Sequence, residues 1–232
     1  MPDIVIYLLI FLAVDAAALL IFLIFHLKSK ARRRRILHFG DAAEKAVADE
    51  IERSFPRGVL LNDIYLPSGR GTTQIDHILI CKWGVFVIET KSHNGRIVIG
   101  ENEWVQHYGD KVVRFHSPVK QNEIHAKAIR SVLSEKKEFA RIPVQGLIVF
   151  TSKRVSFSRK VKGVIKLDRL NGTIKTGDGS KKNQPYTASR SRAYLSADQI
   201  EGIQKLLLSA SDESLIHRRQ HDRAMQNMDK NF

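Results

Sequence analysis

An α/β fold behind one membrane-spanning helix is what this 232-residue chain predicts. Three observations carry that reading. Residues Ile4 to Leu27 are almost uniformly apolar. Beyond residue 40, segments of good helix formers interleave with short runs of β-branched and aromatic residues. Two neighbouring runs of the second kind, Gln74-Ile-Asp76-His-Ile-Leu-Ile80 and Val85-Phe-Val-Ile-Glu89-Thr-Lys91, hold charges where a buried strand should have none. Burying such groups uncompensated costs several kcal/mol.

The elements follow in order. At about 1.5 Å per residue, residues 4–27 reach across a bilayer's hydrocarbon core. The basic run Lys28-Ser-Lys-Ala-Arg-Arg-Arg-Arg35 comes next, within a juxtamembrane linker of residues 28–39. It marks the cytoplasmic side, which predicts an inner-membrane, single-pass protein with its N-terminus outside. It also suits anionic headgroups. Met1-Pro2-Asp3 lacks the positive leader of a cleaved signal peptide. Asp15, at mid-membrane depth, fits either homo-oligomerisation through the helix or a protonated residue that a strong apolar run tolerates.

Gly40 to Ile51 reads as a helix, with Ala43, Val47 and Ile51 on one stripe and Glu44 flanking it. Phe55-Pro-Arg-Gly58 ends it, Val59 to Leu66 forms a strand and Pro67 to Gly71 a loop. The two charged strands follow, then the turn signal Asn94-Gly95 and a strand over Arg96 to Ile99. Val105 to Phe115 is a short-strand region around Tyr108-Gly-Asp110. Pro118 opens a helix to about Lys137, and Val144 to Phe150 is a core strand. Val164 to Leu167 is one more strand. Residues 171–195 are Gly/Ser/Lys-rich and read as a loop. The capping box Ser196-Ala-Asp-Gln199 starts a helix over 196–210, and 211–232 is a polar tail.

The formal charge of +14 favours polyanionic partners, nucleic acid or anionic lipid. A single cysteine, Cys81, excludes an internal disulfide and a zinc ribbon, so any metal is held by oxygen or histidine.

If the charged strands form a hairpin centred between Lys82 and Trp83, cross-strand partners sum to 165. Asp76 then faces Glu89, and Gln74 faces Lys91. Alternation places these four on one face with Ile78, Ile80, Val85 and Val87, polar at one end and apolar at the other. A slip of one residue would put Asp76 and Glu89 on opposite faces. Asp76, twelve residues, then Glu89-Thr90-Lys91 is the D…ExK arrangement of metal-dependent nucleases. Two carboxylates and the Thr90 carbonyl offer the hard oxygens that Mg²⁺ or Mn²⁺ prefers. Lys91 projects beside Glu89, suited to a developing phosphoryl charge or the attacking water. From spacing alone, a pair of edge-strand carboxylates salt-bridged to Lys91 explains the pattern equally well.

A wider set of residues tips that balance. Leu60-Leu-Asn-Asp-Ile-Tyr-Leu-Pro67, Gly71-Thr-Thr-Gln-Ile-Asp-His-Ile-Leu-Ile80, Gly84-Val-Phe-Val-Ile-Glu-Thr-Lys91, Gly95, Trp104-Val-Gln106, Ser117-Pro118, Gln121-Asn122 and His125 together resemble the NERD (nuclease-related) domain. Ala43-Glu-Lys-Ala-Val47 resembles its opening helix, with Ala43 where Gly is usual. The resemblance covers about residues 40–155 and implies a restriction-endonuclease-like (PD-(D/E)xK) core, a mixed central sheet flanked by helices, in a domain over about 40–170. It implies a site of Glu44, Asp76, Glu89 and Lys91 with Gln74 beside them and a role in DNA processing; with the Mg²⁺ or Mn²⁺ that the carboxylates suit as cofactor, the expected activity is phosphodiester hydrolysis in DNA or, alternatively, RNA. A non-catalytic tether for nucleic acid or a partner protein is the alternative.

Gln121, Asn122, Arg154 and Lys160 are candidate phosphate contacts, with capping or core hydrogen bonding the competing role for Asn122. His77 and His93 fall off the site's face and read as structural. Trp104 reads as core packing.

Overall fold

The computed structural model describes residues 39–69, 71–176 and 194–229, with side chains to residue 214, and the isolated positions 22 and 26. The apolar segment 4–27, Asp15 and the basic run 28–35 lie outside the described residues, apart from those two positions. Among the described residues no helix is long and apolar enough to cross a membrane. The chain divides into residues 1–42 and residues 43–232, and the second unit carries the domain.

Helix α1 covers residues 39–54. Ala43, Val47 and Ile51 are buried along the expected stripe. Strands β1 (Val59–Ser68), β2 (Gly71–Cys81) and β3 (Gly84–Lys91) follow as an antiparallel meander. β4 (Arg96–Ile99), β5 (Glu103–Tyr108) and β6 (Lys111–His116) come next, then α2 (Pro118–Ser134) and β7 (Val144–Phe150). The short strands β8 (Ser156–Phe157) and β9 (Val164–Lys166) lead through a 3₁₀ turn to α3 (Leu170–Thr176) and α4 (Ala197–Asp229).

The main sheet has the order β1-β2-β3-β7-β9 and is mixed: β7 runs parallel to both β3 and β9. Helices cover both faces. On one, Ile78, Ile80, Val85 and Val87 pack against Ile129 and Leu133 of α2 and Ile203 and Leu207 of α4. On the other, Leu79, Phe86 and Ile88 meet Val47 and Ile51 of α1 and Leu170 and Ile174 of α3. The buried alternation of β3 on both faces is what a central strand requires. A second sheet, β6-β5-β4-β8, packs its own core on the first, with Trp104 stacked on Phe150 at 6.3 Å between ring centroids. Trp104 is therefore core, as expected.

The β2–β3 hairpin has the expected register. His77 pairs with Ile88 and Cys81 with Gly84 across the two-residue turn Lys82-Trp83. Gly84 makes that turn possible: its φ is +129°, and a Cβ there would stand 2.8 Å from the Pro143 carbonyl oxygen.

Two expectations need correction. The loop assigned to 171–195 is helical up to Thr176. Leu170 and Ile174, four residues apart, anchor α3, a spacing masked by Gly172 and Thr173 between them; residues 177–193 lie outside the described set. The helix begun at Ser196 does not stop at 210 but continues to Asp229. The polar 211–229 segment contains enough good helix formers to carry on the backbone pattern. Its start is the capping box itself: Gln199 N–H donates to Ser196 Oγ at 3.2 Å, and Ser196 N–H to Gln199 Oε1 at 3.0 Å.

Candidate active site

The site forms where β2 leaves β3. The ladder between them ends at His77–Ile88. One residue further, the Asp76 side chain takes over the backbone's role: Thr90 N–H donates to Asp76 Oδ2 at 2.8 Å. Alternation changes phase at this point. Ile75 and Ile78 belong to the same core cluster although three residues apart, and so do Leu61 and Ile64 on β1. Between the latter sits Asp63 with φ +57°, a left-handed conformation that Asp tolerates better than most residues.

That phase change corrects the place given to Gln74. Strict alternation puts it beside Asp76 and opposite Lys91. Instead it pairs with Tyr65 on β1, is exposed, and donates from Nε2 to Asp63 Oδ1. Gln74 is not brought into the cluster.

Asp76, Glu89 and Lys91 do come together. Glu89 is only 2% exposed, and Lys91 Nζ donates to its Oε1 at 2.6 Å. Lys91 Nζ also lies 3.4 Å from Gln121 Oε1, so Gln121 belongs to the site's wall. His125, one turn along α2, is the neighbour that sequence reading placed only near a helix start. Its Nε2 stands 3.3 Å from Glu89 Oε2, and its Nδ1 lies 2.8 Å from Thr73 Oγ1. Nε2 and Oε2 are within ion-pair distance but not aligned as a hydrogen bond, and both atoms are buried without a hydrogen-bond partner. The signal was present: Gln121 and His125 are four residues apart on α2, hence on one face.

The electrostatics separate the two carboxylates. Burial, followed by the charge of Glu89, pushes Asp76 up to about 7, against the opposing Thr90 N–H and the weaker pull of Lys91. Burial pushes Glu89 up too, but His125 and Lys91 outweigh it and hold Glu89 below the ordinary carboxylate range. Glu44, on α1, is exposed and close enough for its charge to raise Asp76 further. Two carboxylates that repel each other, one with a buried unpartnered oxygen, form a donor set that a hard dication would satisfy. Among the described residues no group of three or more His, Cys, Asp or Glu is arranged to hold a metal ion. A fit therefore rests on Mg²⁺ keeping several waters, as it usually does.

Asn122 needs a second correction. It is 2% exposed, and its Nδ2 donates to the carbonyls of Val87 at 3.2 Å and Leu147 at 3.0 Å. The amide clips β3 to β7 and cannot reach a phosphate. Gly146 leaves room for it, since a Cβ there would fall 2.9 Å from Nδ2. Arg154 and Lys160 are exposed on the segment after β7. His77 points away and pairs with Asn62 Oδ1 at 2.8 Å, while His93 stacks on Phe115 at 4.2 Å. Burial lowers both to about 4, which leaves them neutral at pH 7 and structural.

Comparison with known proteins follows the geometry. Residues 39–151 match the nuclease-related domain (NERD). That span contains every member of the cluster and agrees with the resemblance expected over about 40–155. An uncharacterized protein of Bacillus anthracis is 31% identical over 180 residues, which cover 74% of this chain and 76% of the relative. No solved structure is significantly similar. The mixed sheet, the helices on both faces and the Asp76–Glu89–Lys91 cluster within the matched span agree with that match, and the chain belongs to the nuclease-related domain family.

Proposed function

We propose that the protein is a membrane-anchored phosphodiesterase that hydrolyses DNA, with RNA as a further substrate, in the presence of Mg²⁺ or Mn²⁺. The observation that carries the reading is the convergence of Asp76, Glu89 and Lys91 at the point where β2 and β3 part. Asp76, Glu89 and the Thr90 carbonyl would hold the cation. When bound, the cation supplies Lewis acidity at a phosphoryl oxygen and neutralises developing negative charge. Lys91, anchored between Glu89 and Gln121, presents its ammonium to a non-bridging oxygen of the scissile phosphate. Glu44 orients the attacking water from the α1 side. Arg154 and Lys160 contact flanking phosphates.

Residues 4–27 anchor the domain in the inner membrane, N-terminus outside, with Lys28–Arg35 on anionic headgroups and Asp15 promoting homo-oligomers. The test is cleavage of single-stranded, duplex and branched DNA and of RNA by full-length protein in detergent. Cleavage should need Mg²⁺ or Mn²⁺ and disappear in Asp76→Ala and Lys91→Ala, with both variants folded. Metal-independent binding without cleavage would instead favour a tethering module, and equal cleavage by the variants would remove the cluster from the chemistry.

A further inference from the structure

The segment between β7 and α3 returns along the sheet at the end where the candidate site lies. Lys91 pairs with Phe150, Phe150 pairs with Lys166, and Thr151 N–H donates to the Lys91 carbonyl at 3.1 Å. Two ladder spacings of about 4.8 Å separate the Lys91 and Lys166 backbones, so the two stand roughly 10 Å apart on one face. Here the chain folds around a cleft of about 850 Å³, lined by Arg159, Lys160, Lys162, Lys166 and Arg169 with Asp168 as its one acid. Lys166 Nζ donates to the Lys153 carbonyl, which holds it in place. Phe157, half-buried, forms part of the wall and is fixed edge-on against Phe150 at 5.0 Å.

Five cations against one carboxylate match a polyanion. The cleft is built from one short segment, so it tracks one phosphate backbone; a duplex presents two, set apart by a groove about 12 Å wide. A fixed, partly exposed aromatic ring beside a basic groove is the pairing that single strands use, because an unpaired base has a free face to stack. Resting on the nuclease reading, we infer that this cleft binds single-stranded nucleic acid and holds the strand on one side of the scissile phosphate at Lys91.

The test measures binding alone. Full-length protein in detergent and EDTA is titrated with a fluorescein-labelled 15-nucleotide oligothymidylate and with a 15-base-pair duplex, at several salt concentrations. Arg159→Glu combined with Arg169→Glu, both exposed, should weaken the single strand at least tenfold. The same variant should flatten the slope of log K against log salt by about 1.4, since each single-strand phosphate contact contributes about 0.7. Phe157→Ala should weaken binding with the slope unchanged. Wild-type affinity in the double variant would overturn the proposal, as would an equal loss for duplex and single strand. Cation-free binding does not depend on cleavage, so a protein that binds here but never cuts rejects the enzymatic reading and leaves this one standing.

Discussion

Asp76→Asn should stabilise the metal-free protein at alkaline pH while removing a proposed metal ligand. Asn keeps the oxygen that accepts from Thr90 N–H, so the substitution removes charge with little change of shape. In the folded protein the carboxyl sits at about 7 against an ordinary 3.8. A folded pKa above the unfolded one means that stability is fullest below about 3.8 and is lost as pH rises towards 7. The ceiling on that loss is ~4 kcal/mol. Part of it falls below pH 5 and part is screened by solvent, which leaves about 2–3 kcal/mol between pH 5 and pH 8.5. The assay is urea denaturation of wild type and Asp76→Asn in EDTA at both values. The stability gap in favour of the variant should widen by that amount at pH 8.5. A gap that stays constant, or one that narrows, would refute the claim that Asp76 is held uncharged by burial and by Glu89.

Four further outcomes follow. His125→Ala should lower Mn²⁺ affinity about 10- to 100-fold by calorimetry at pH 7, because a carboxylate without its flanking group is less well oriented; Thr73→Val should do the same more weakly. Asn122→Ala should cost about 1–3 kcal/mol, since the amide's two buried hydrogen bonds to the Val87 and Leu147 carbonyls are lost. Gly146→Ala, which crowds the Asn122 amide, should be far less harmful in the Asn122→Ala background, a non-additivity read from a double-mutant cycle. Ser196→Ala should cost about 1 kcal/mol by loss of the capping box, measured by thermal unfolding.

The hairpin register was legible because strand periodicity is short and one face must be apolar: Ile78, Ile80, Val85 and Val87 admit a single alignment. The stripe of α1 and the capping box of α4 were legible for the same reason, each resting on contacts within a few residues. Gln74 was misplaced because its position depends on a backbone event, the left-handed Asp63 and the matching phase change at Asp76, that no alternation pattern records. Asn122 was ambiguous because capping, phosphate contact and sheet clipping all call for an amide near a helix start; only the neighbouring strands decide among them. The role of His125 depends on Glu89, thirty-six residues earlier in the chain, and on Thr73, farther still. The family-like motifs put these residues in order, while their spatial meeting required the fold.

Thr90 N–H gives the site a reporter of its own. At the strand fork it donates to the Asp76 carboxylate, so whatever happens to that carboxylate is written into one amide. Protonation, cation binding or loss of the group should each move the Thr90 amide resonance and change its hydrogen-exchange rate, while the amides of Phe86 and Ile88, deeper in β3, stay silent. A single backbone signal can therefore follow the state of the candidate centre in a protein that has no substrate bound and has catalysed nothing.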